Sequence, residues 1–294
     1  MNASARTDRR LAWLLVTPAV ATIALIAIFP LLYTFWESLH QHDLRLPWLG
    51  KPFVGLGNYV ELAGDGRFWW SLVNTGFFAA TTITLEMVFG LALALAMQRA
   101  VRARGAVRAL ALLPWAIPTV VAALLWRFIF DAQAGIANAV LVSAGAIDEP
   151  LVWFARASTA WVPVILADVW KTTPFVALLL LAGLQTIDPA LHEAAAVDGA
   201  GPWRRLRHVT LPLLAPALLV ALIFRTLDAF RVFDLIYVLT GGGPGTSTEP
   251  VALYAFTTTL QHLRFGYGSA ISVAIFVITF ALAMIYVRVI GRER

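Results

Sequence analysis

The sequence predicts an all-α transmembrane protein with about six membrane-spanning helices, and three observations carry that prediction. The first is composition: of 294 residues, 60% are apolar and 13% are charged. Soluble domains carry about 25% charged residues, so the charged surface that water demands is missing here. The second is the recurrence of apolar runs long enough to cross a hydrocarbon core of roughly 30 Å, which takes about 20 helical residues. The third is the placement of arginine in short clusters between alternate runs.

The runs follow in order. Residues 11–36, from Leu11 to Trp36, contain no charged side chain. The second covers about 71–97 and is interrupted only by Glu86; the third covers 109–130 and the fourth 158–184. The fifth covers about 211–237 and the sixth 265–287. In hydrocarbon every backbone amide must be paired within its own segment, so these runs are read as helices. The first is longer than the 7–15 apolar residues of a signal peptide and no A-x-A site follows it. It is read as an uncleaved anchor behind a tail, residues 1–10, with a single permease domain over 11–294.

Orientation follows from the basic residues. One set of segments holds Arg6, Arg9 and Arg10, then Arg99, Arg102, Arg104 and Arg108, then Arg204, Arg205 and Arg207, then Arg288, Arg292 and Arg294. The alternate set holds only Arg45, Lys51, Arg67, Arg156 and Arg264. The richer set includes both termini, which are therefore expected in the cytoplasm. Arginines divided in this way form no continuous basic face, which argues against nucleic acid.

Three loops then face outward. The first carries Trp48, Trp69 and Trp70 at headgroup depth. The second leaves room for a short surface helix. The third contains Thr240 to Thr248, a glycine-rich run that reads either as a flexible connector or as a surface that a partner touches. No cysteine is present, which excludes disulfides and zinc–thiolate sites. No histidine falls in a span and no H-E-x-x-H occurs, so no intramembrane metal site or catalytic constellation is expected.

The cytoplasmic segment 185–210 is the most informative. Asp188 is a good N-cap, Pro189 suits the first helical position, and Ala190 to Val197 are mostly strong helix formers. Gly199 ends that helix in a left-handed C-cap, and Gly201-Pro202 start a second short helix rich in arginine. Ala194, Ala195 and Gly199 have almost no side chain, so another surface can approach the backbone closely. The alternative is a pair of surface helices whose arginines meet anionic lipid.

Glu193-Ala194-Ala195, then Gly199, then Val209-x-Leu211-Pro212 resembles the EAA loop of bacterial ABC importer permeases. Leu113-Pro114-Trp115-Ala116-Ile117-Pro118, Phe233 to Pro244 and Phe265 to Ala270 are similar to the carbohydrate-uptake branch, in particular its maltose-, trehalose- and glycerol-phosphate-type first permease. The resemblance implies a type I importer fold in the bacterial inner membrane. It implies ATPase coupling through Glu193, Ala194, Ala195, Asp198 and Gly199. It also implies partners: a second similar permease, two ATPase subunits that bind ATP and magnesium, and an extracytoplasmic sugar-binding protein. The chain itself has one Gly-Lys, Gly50-Lys51, which is followed by proline in an outer loop, so it lacks a phosphate-cradling P-loop. No cofactor is expected in this chain, and it is not expected to be an enzyme.

Ionisable groups inside a span are costly and mark functional sites. Asp168 and Lys171, three apart in the fourth run, are placed to neutralise each other, with Trp170, Thr172 and Pro174 beside them. The fifth run carries Arg225, Asp228, Arg231 and Asp234 at intervals of three, drifting round a single helix by about 60° per step. For both groups two readings stay open, internal ion pairing and contact with a sugar. Glu86 stands alone, and Asn74 and Thr75 read equally as functional groups or as helix–helix glue. The stretches around Trp170 and Phe224 look most like trehalose- or maltose-type permeases. Other cargoes (glycerol phosphate, a polyol, an amino sugar) and a stand-alone gradient-driven transporter are the rival readings.

Overall fold

The computed structural model describes residues 3–99 and 104–292, so Arg102 and Arg294 of the arginine count lie outside the described residues. The described residues are helical apart from turns and two isolated bridges. They divide into two compact units, Met1–Asp65 with Ala255–Phe276, and Gly66–Tyr254 with Val277–Arg294.

In the first unit, helix runs from Ala3 and continues through the apolar span α1 (Trp13–Ser38). A π-turn at Ala24–Ile28 sits directly ahead of Pro30. Proline donates no N–H and crowds the carbonyl four residues back, and a widened turn absorbs both defects. Glu37, at the end of α1, is buried and accepts from both Lys51 and His42. Lys51 also lies 4.4 Å from the centre of the Trp36 ring. The short helix α2 (Gly57–Ala63) is tied in by Asn58, which donates to the carbonyls of Ser38 at 2.7 Å and His40 at 3.0 Å.

The second unit is built on α3 (Gly66–Arg99). Next come α4 (Arg104–Ala116) and α5 (Thr119–Ile129), which meet at 86°. The third predicted span is thus broken. Pro118 cannot continue the ladder and holds Ile117 out of helical geometry. A short helix, α6 (Ile136–Ser143), occupies the following loop, where the sequence left room for one. The long helices α7 (Ala157–Leu184) and α9 (Pro202–Ala229) flank the cytoplasm-expected α8 (Pro189–Val197) in the chain. Two further short helices follow, α10 (Asp234–Leu239) and α11 (Val251–Phe256). The last span is α12 (Phe265–Arg292).

Two boundaries correct the sequence prediction. The second arginine-rich helix is not separate from the fifth span: helix is unbroken from Pro202 to Ala229, through a π-turn at Leu206–Thr210 ahead of Pro212. The prolines at 212 and 216 bend the helix without ending it, because the widened turn accommodates the missing donor. The span then stops at Ala229, short of the predicted residue 237.

The core of this unit joins α3, α7 and α9. Ala94, Met97, Val176, Ala177, Leu180, Leu184 and Leu214 pack together, each almost fully buried. Hydrocarbon offers no hydrophobic drive between helices, so close backbone approach and dispersion contacts hold them. Gly90 shows this directly: a Cβ there would lie 2.6 Å from Val176 Cγ1.

Candidate functional site

Two regions carry chemistry. The first is α8. Asp188 caps it by accepting the Ala190 N–H at 2.9 Å, as its position predicts. At the other end Ala200 N donates to Ala195 O at 2.9 Å and Gly199 N donates to Ala196 O at 3.1 Å. These are the two bonds of a Schellman ending, with Gly199 at φ +78°. The helix has no buried residue. Val197 is 88% exposed and Leu191 46%, and nothing lies within 4 Å of a Cβ built on Gly199. Glu193, Ala194, Asp198 and Gly199 are exposed and Ala195 half-buried. The helix is thus capped at both ends and presents apolar side chains and small residues at the surface.

The second region begins at Pro118. The break between α4 and α5 frees the carbonyls of Trp115 and Ile117, and Lys171 of α7 donates to both, to Trp115 at 3.3 Å. Lys171 therefore does not neutralise Asp168, against the expectation from their spacing. Asp168 pairs instead with Arg225 of α9, whose Nη2 donates to Asp168 Oδ2 at 2.9 Å. The same guanidinium donates through Nε and Nη2 to Glu86 of α3, the latter bond being 2.8 Å, and through Nη1 to Asp228 at 2.7 Å. Glu86 is 0%, Arg225 2% and Asp168 7% exposed. Buried carboxylates persist only when paired, and a guanidinium with five donors can serve the two buried ones, Glu86 and Asp168, and the exposed Asp228 together. The Thr172 hydroxyl lies within hydrogen-bond distance of both Glu86 and the Asp168 carbonyl.

This network forms one wall of a cavity of about 390 Å³. Asp168, Lys171, Thr172, Arg225, Asp228, Arg231 and Asp234 all line it, together with Trp115, Phe78 and Thr119, which the sequence did not single out as site residues. Trp170 does not line it; its ring meets Trp126 edge-on at 5.9 Å. The predicted single-helix ladder of Arg225, Asp228, Arg231 and Asp234 is also corrected. Helix ends at Ala229, Arg231 sits in the turn, and Asp234 opens α10, so the four charges surround the cavity rather than spiral away. A chain end bearing charge needs polar surroundings, and the cavity supplies them. Three carboxylates and three cations face it, giving a polar wall without net sign.

Asn74 and Thr75 are not glue between spans. Asn74 donates to the carbonyls of Thr246 and Glu249, each at 3.1 Å, and Thr75 Oγ1 accepts the Val251 N–H at 2.9 Å. With the Arg67–Glu249 pair at 2.8 Å and the Thr240–Thr248 bond at 2.8 Å, they fasten the glycine-rich run to α3, so it is not a loose connector.

Comparison with known proteins agrees with this architecture. The family described as binding-protein-dependent transport system inner membrane component matches residues 86–293. The trehalose/maltose transport system permease protein MalF of Thermococcus litoralis is 43% identical, over 98% of this chain and 95% of its own length. The trehalose transport system permease protein SugA of Mycobacterium tuberculosis is 41% identical, over 98% and 91%. The sulfoquinovosyl glycerol transport system permease protein SmoG of Agrobacterium fabrum is 40% identical, over 96% and 91%. A crystal structure of a bacterial alginate ABC transporter, with alginate pentasaccharide-bound periplasmic protein, contains a chain of the same fold. It superposes at TM-score 0.81 and 21% identity, over 95% of this chain and 93% of that one. The chain belongs to the family of binding-protein-dependent transport system inner membrane components and is a multi-pass membrane permease subunit.

Proposed function

We propose that this chain is one of two permease subunits in an ATP-driven importer of an uncharged di- or oligosaccharide of the trehalose or maltose type. Relatives named for trehalose and maltose transport align over almost the whole chain. The cavity beside Arg225 suits such a cargo: it offers hydroxyl, ammonium, guanidinium and carboxylate groups together with the faces of Phe78 and Trp115. In this reading the network around Arg225 holds α3, α7 and α9 in register, and Lys171, Asp228, Arg231 and Asp234 meet the sugar.

The energy comes from elsewhere. Two ATPase subunits bind ATP and magnesium below the membrane, and an extracytoplasmic binding protein delivers sugar above it. Both termini and α8 lie on the cytoplasmic side. Closure of the ATPases on ATP draws α8 and its counterpart on the second permease together and turns the cavity outward; hydrolysis resets it. The observation that carries this reading is the doubly capped α8, without a buried residue and with a small-residue surface.

The test is Gly199→Asp in the reconstituted complex. Sugar uptake and sugar-stimulated ATP turnover are expected to fall together, while basal turnover by the ATPases persists. Normal coupled turnover in that variant would contradict the coupling role. A second cargo, an acidic or sulfonated glycoside, rests on the 40% identity to the sulfoquinovosyl glycerol transport system permease protein, since carboxylates offset Lys171 and Arg231 on the cavity wall. A panel of neutral and anionic sugars in the same assay separates the two.

A further inference from the structure

A second cavity, of about 490 Å³, lies where the end of α3, the start of α9 and α8 come together. Among the described residues its charged lining is Arg99 and Arg205, joined by the His192 imidazole, with no carboxylate. Leu95 and Leu206 line its apolar part, and Trp203, 69% exposed, stands beside them. Arg205 is half-buried, and its Nε is shut off from solvent with no hydrogen-bond partner. A buried guanidinium donor without an acceptor costs free energy that a bound acceptor would recover.

Arg225 is answered by Glu86 and Arg264 by Glu61, whereas Arg205 Nε is left unpartnered, as is that of the half-buried Arg108, which does not line this cavity. At the second cavity no such complement is present among the described lining residues. Two guanidinium forks and an imidazole converge on one space, which matches the several oxygens of a phosphate better than a single carboxylate. The site also sits where two membrane spans end, with an exposed tryptophan of the kind that occupies the headgroup layer.

We propose that the Arg99–Arg205–His192 cavity binds a phosphate-bearing anion, supplied either by an anionic lipid headgroup or by a soluble phosphate compound. The bound anion joins the end of α3 to the root of α9 and, through His192, to α8. Its occupancy therefore bears on the helix assigned to ATPase docking, but the binding claim is independent of the cargo and of that docking.

The test uses the full-length chain in detergent with native mass spectrometry, which counts bound lipids. Phosphatidylglycerol and phosphatidylcholine are offered in equal amounts in one arm, and sodium pyrophosphate is titrated in the other. At about 1 kcal/mol per basic residue near an anionic headgroup, Arg99→Gln and Arg205→Gln are each expected to weaken binding about fivefold. Arg288→Gln, an exposed arginine that does not line the cavity, controls for charge alone and is expected to change nothing. Preferential phosphatidylglycerol retention that the two variants lose identifies a lipid site. Displacement of that lipid by pyrophosphate, or pyrophosphate binding that only the two variants lose, identifies a soluble ligand. Equal binding by wild type, both cavity variants and the control in both arms would overturn the proposal. Reading each variant singly keeps the test valid if one of them does not fold.

Discussion

Arg225 and Glu86, 139 positions apart in the chain, form a two-point ion pair in the buried centre of the second unit. The pair ties α9 to α3, and the bond from the same guanidinium to Asp168 brings in α7. Three spans are thereby registered by one side chain. The sign pattern matters as much as the geometry: one cation serves two buried carboxylates and one exposed carboxylate, Asp228.

Removing that cation is expected to be far worse than removing either acid. Arg225→Gln leaves Glu86 and Asp168 buried without a counter-charge, a loss of about 3–5 kcal/mol. Glu86→Gln keeps a hydrogen-bond acceptor and still leaves Asp168 paired, so its loss is expected to be smaller. Thermal unfolding of the purified complex checks the order. An Arg225→Gln complex as stable as wild type would remove the network from the account.

The ladder from Pro118 to Lys171 predicts a different signature. Lys171→Met leaves the Trp115 and Ile117 carbonyls without their ammonium donor. Because these bonds are exposed and part-buried, the loss is expected to fall below the cost of a fully buried unsatisfied acceptor, about 1–3 kcal/mol. The expected result is faster amide exchange or protease cutting at the α4–α5 break, with sugar affinity reduced. Unchanged protection at residues 115–119 would show that the ammonium does not hold the break.

Asn74→Ala is expected to release the glycine-rich run while leaving the spans intact. It strips the donor from the Thr246 and Glu249 carbonyls at once. Hydrogen exchange should rise at residues 246–251 and stay unchanged in α7. The binding-protein interaction is the functional readout, because this run lies on the side expected to face outward.

Outside the spans, Asp131 gives a prediction in pH. Its carboxylate accepts the backbone N–H groups of Ala134 and Gln133, which hold its pKa below the ordinary carboxylate value. The charged form is thus favoured in the folded turn. The stabilisation is present above the unfolded carboxylate's pKa and is lost as pH falls through the lowered folded value. Protection of the Gln133 and Ala134 amides should follow that course, and Asp131→Asn should flatten it.

Much of this was legible in the sequence because lipid imposes strict rules. Spans two, four and six appear where apolar length places them, since nothing but helix satisfies a backbone in hydrocarbon. The capped α8 was legible residue by residue, from Asp188 and Pro189 to Gly199. What the sequence did not reveal depends on distant partners. Spacing paired Asp168 with Lys171, but each found a better partner on another element, and spacing along one helix says nothing of that. A signal did exist: Glu86 is the one acid in its apolar run and requires a cation from elsewhere, and Arg225 is the arginine placed deepest in the fifth run. The stop at Ala229 was hidden for a related reason. No proline or glycine marks it, and the turn exists because Arg231 and Asp234 reach a polar cavity that only the fold creates.

Entry of α8 into a separate ATPase, as proposed above, is directly measurable because the sequence has no cysteine. A single Ala194→Cys can be labelled by a maleimide in the permease alone and again in the assembled, ATP-bound complex. Rapid labelling of the lone permease and strong protection in the complex, with a cross-link formed to a cysteine placed in the ATPase cleft, is the predicted outcome. Equally rapid labelling in both, with no cross-link, would contradict it.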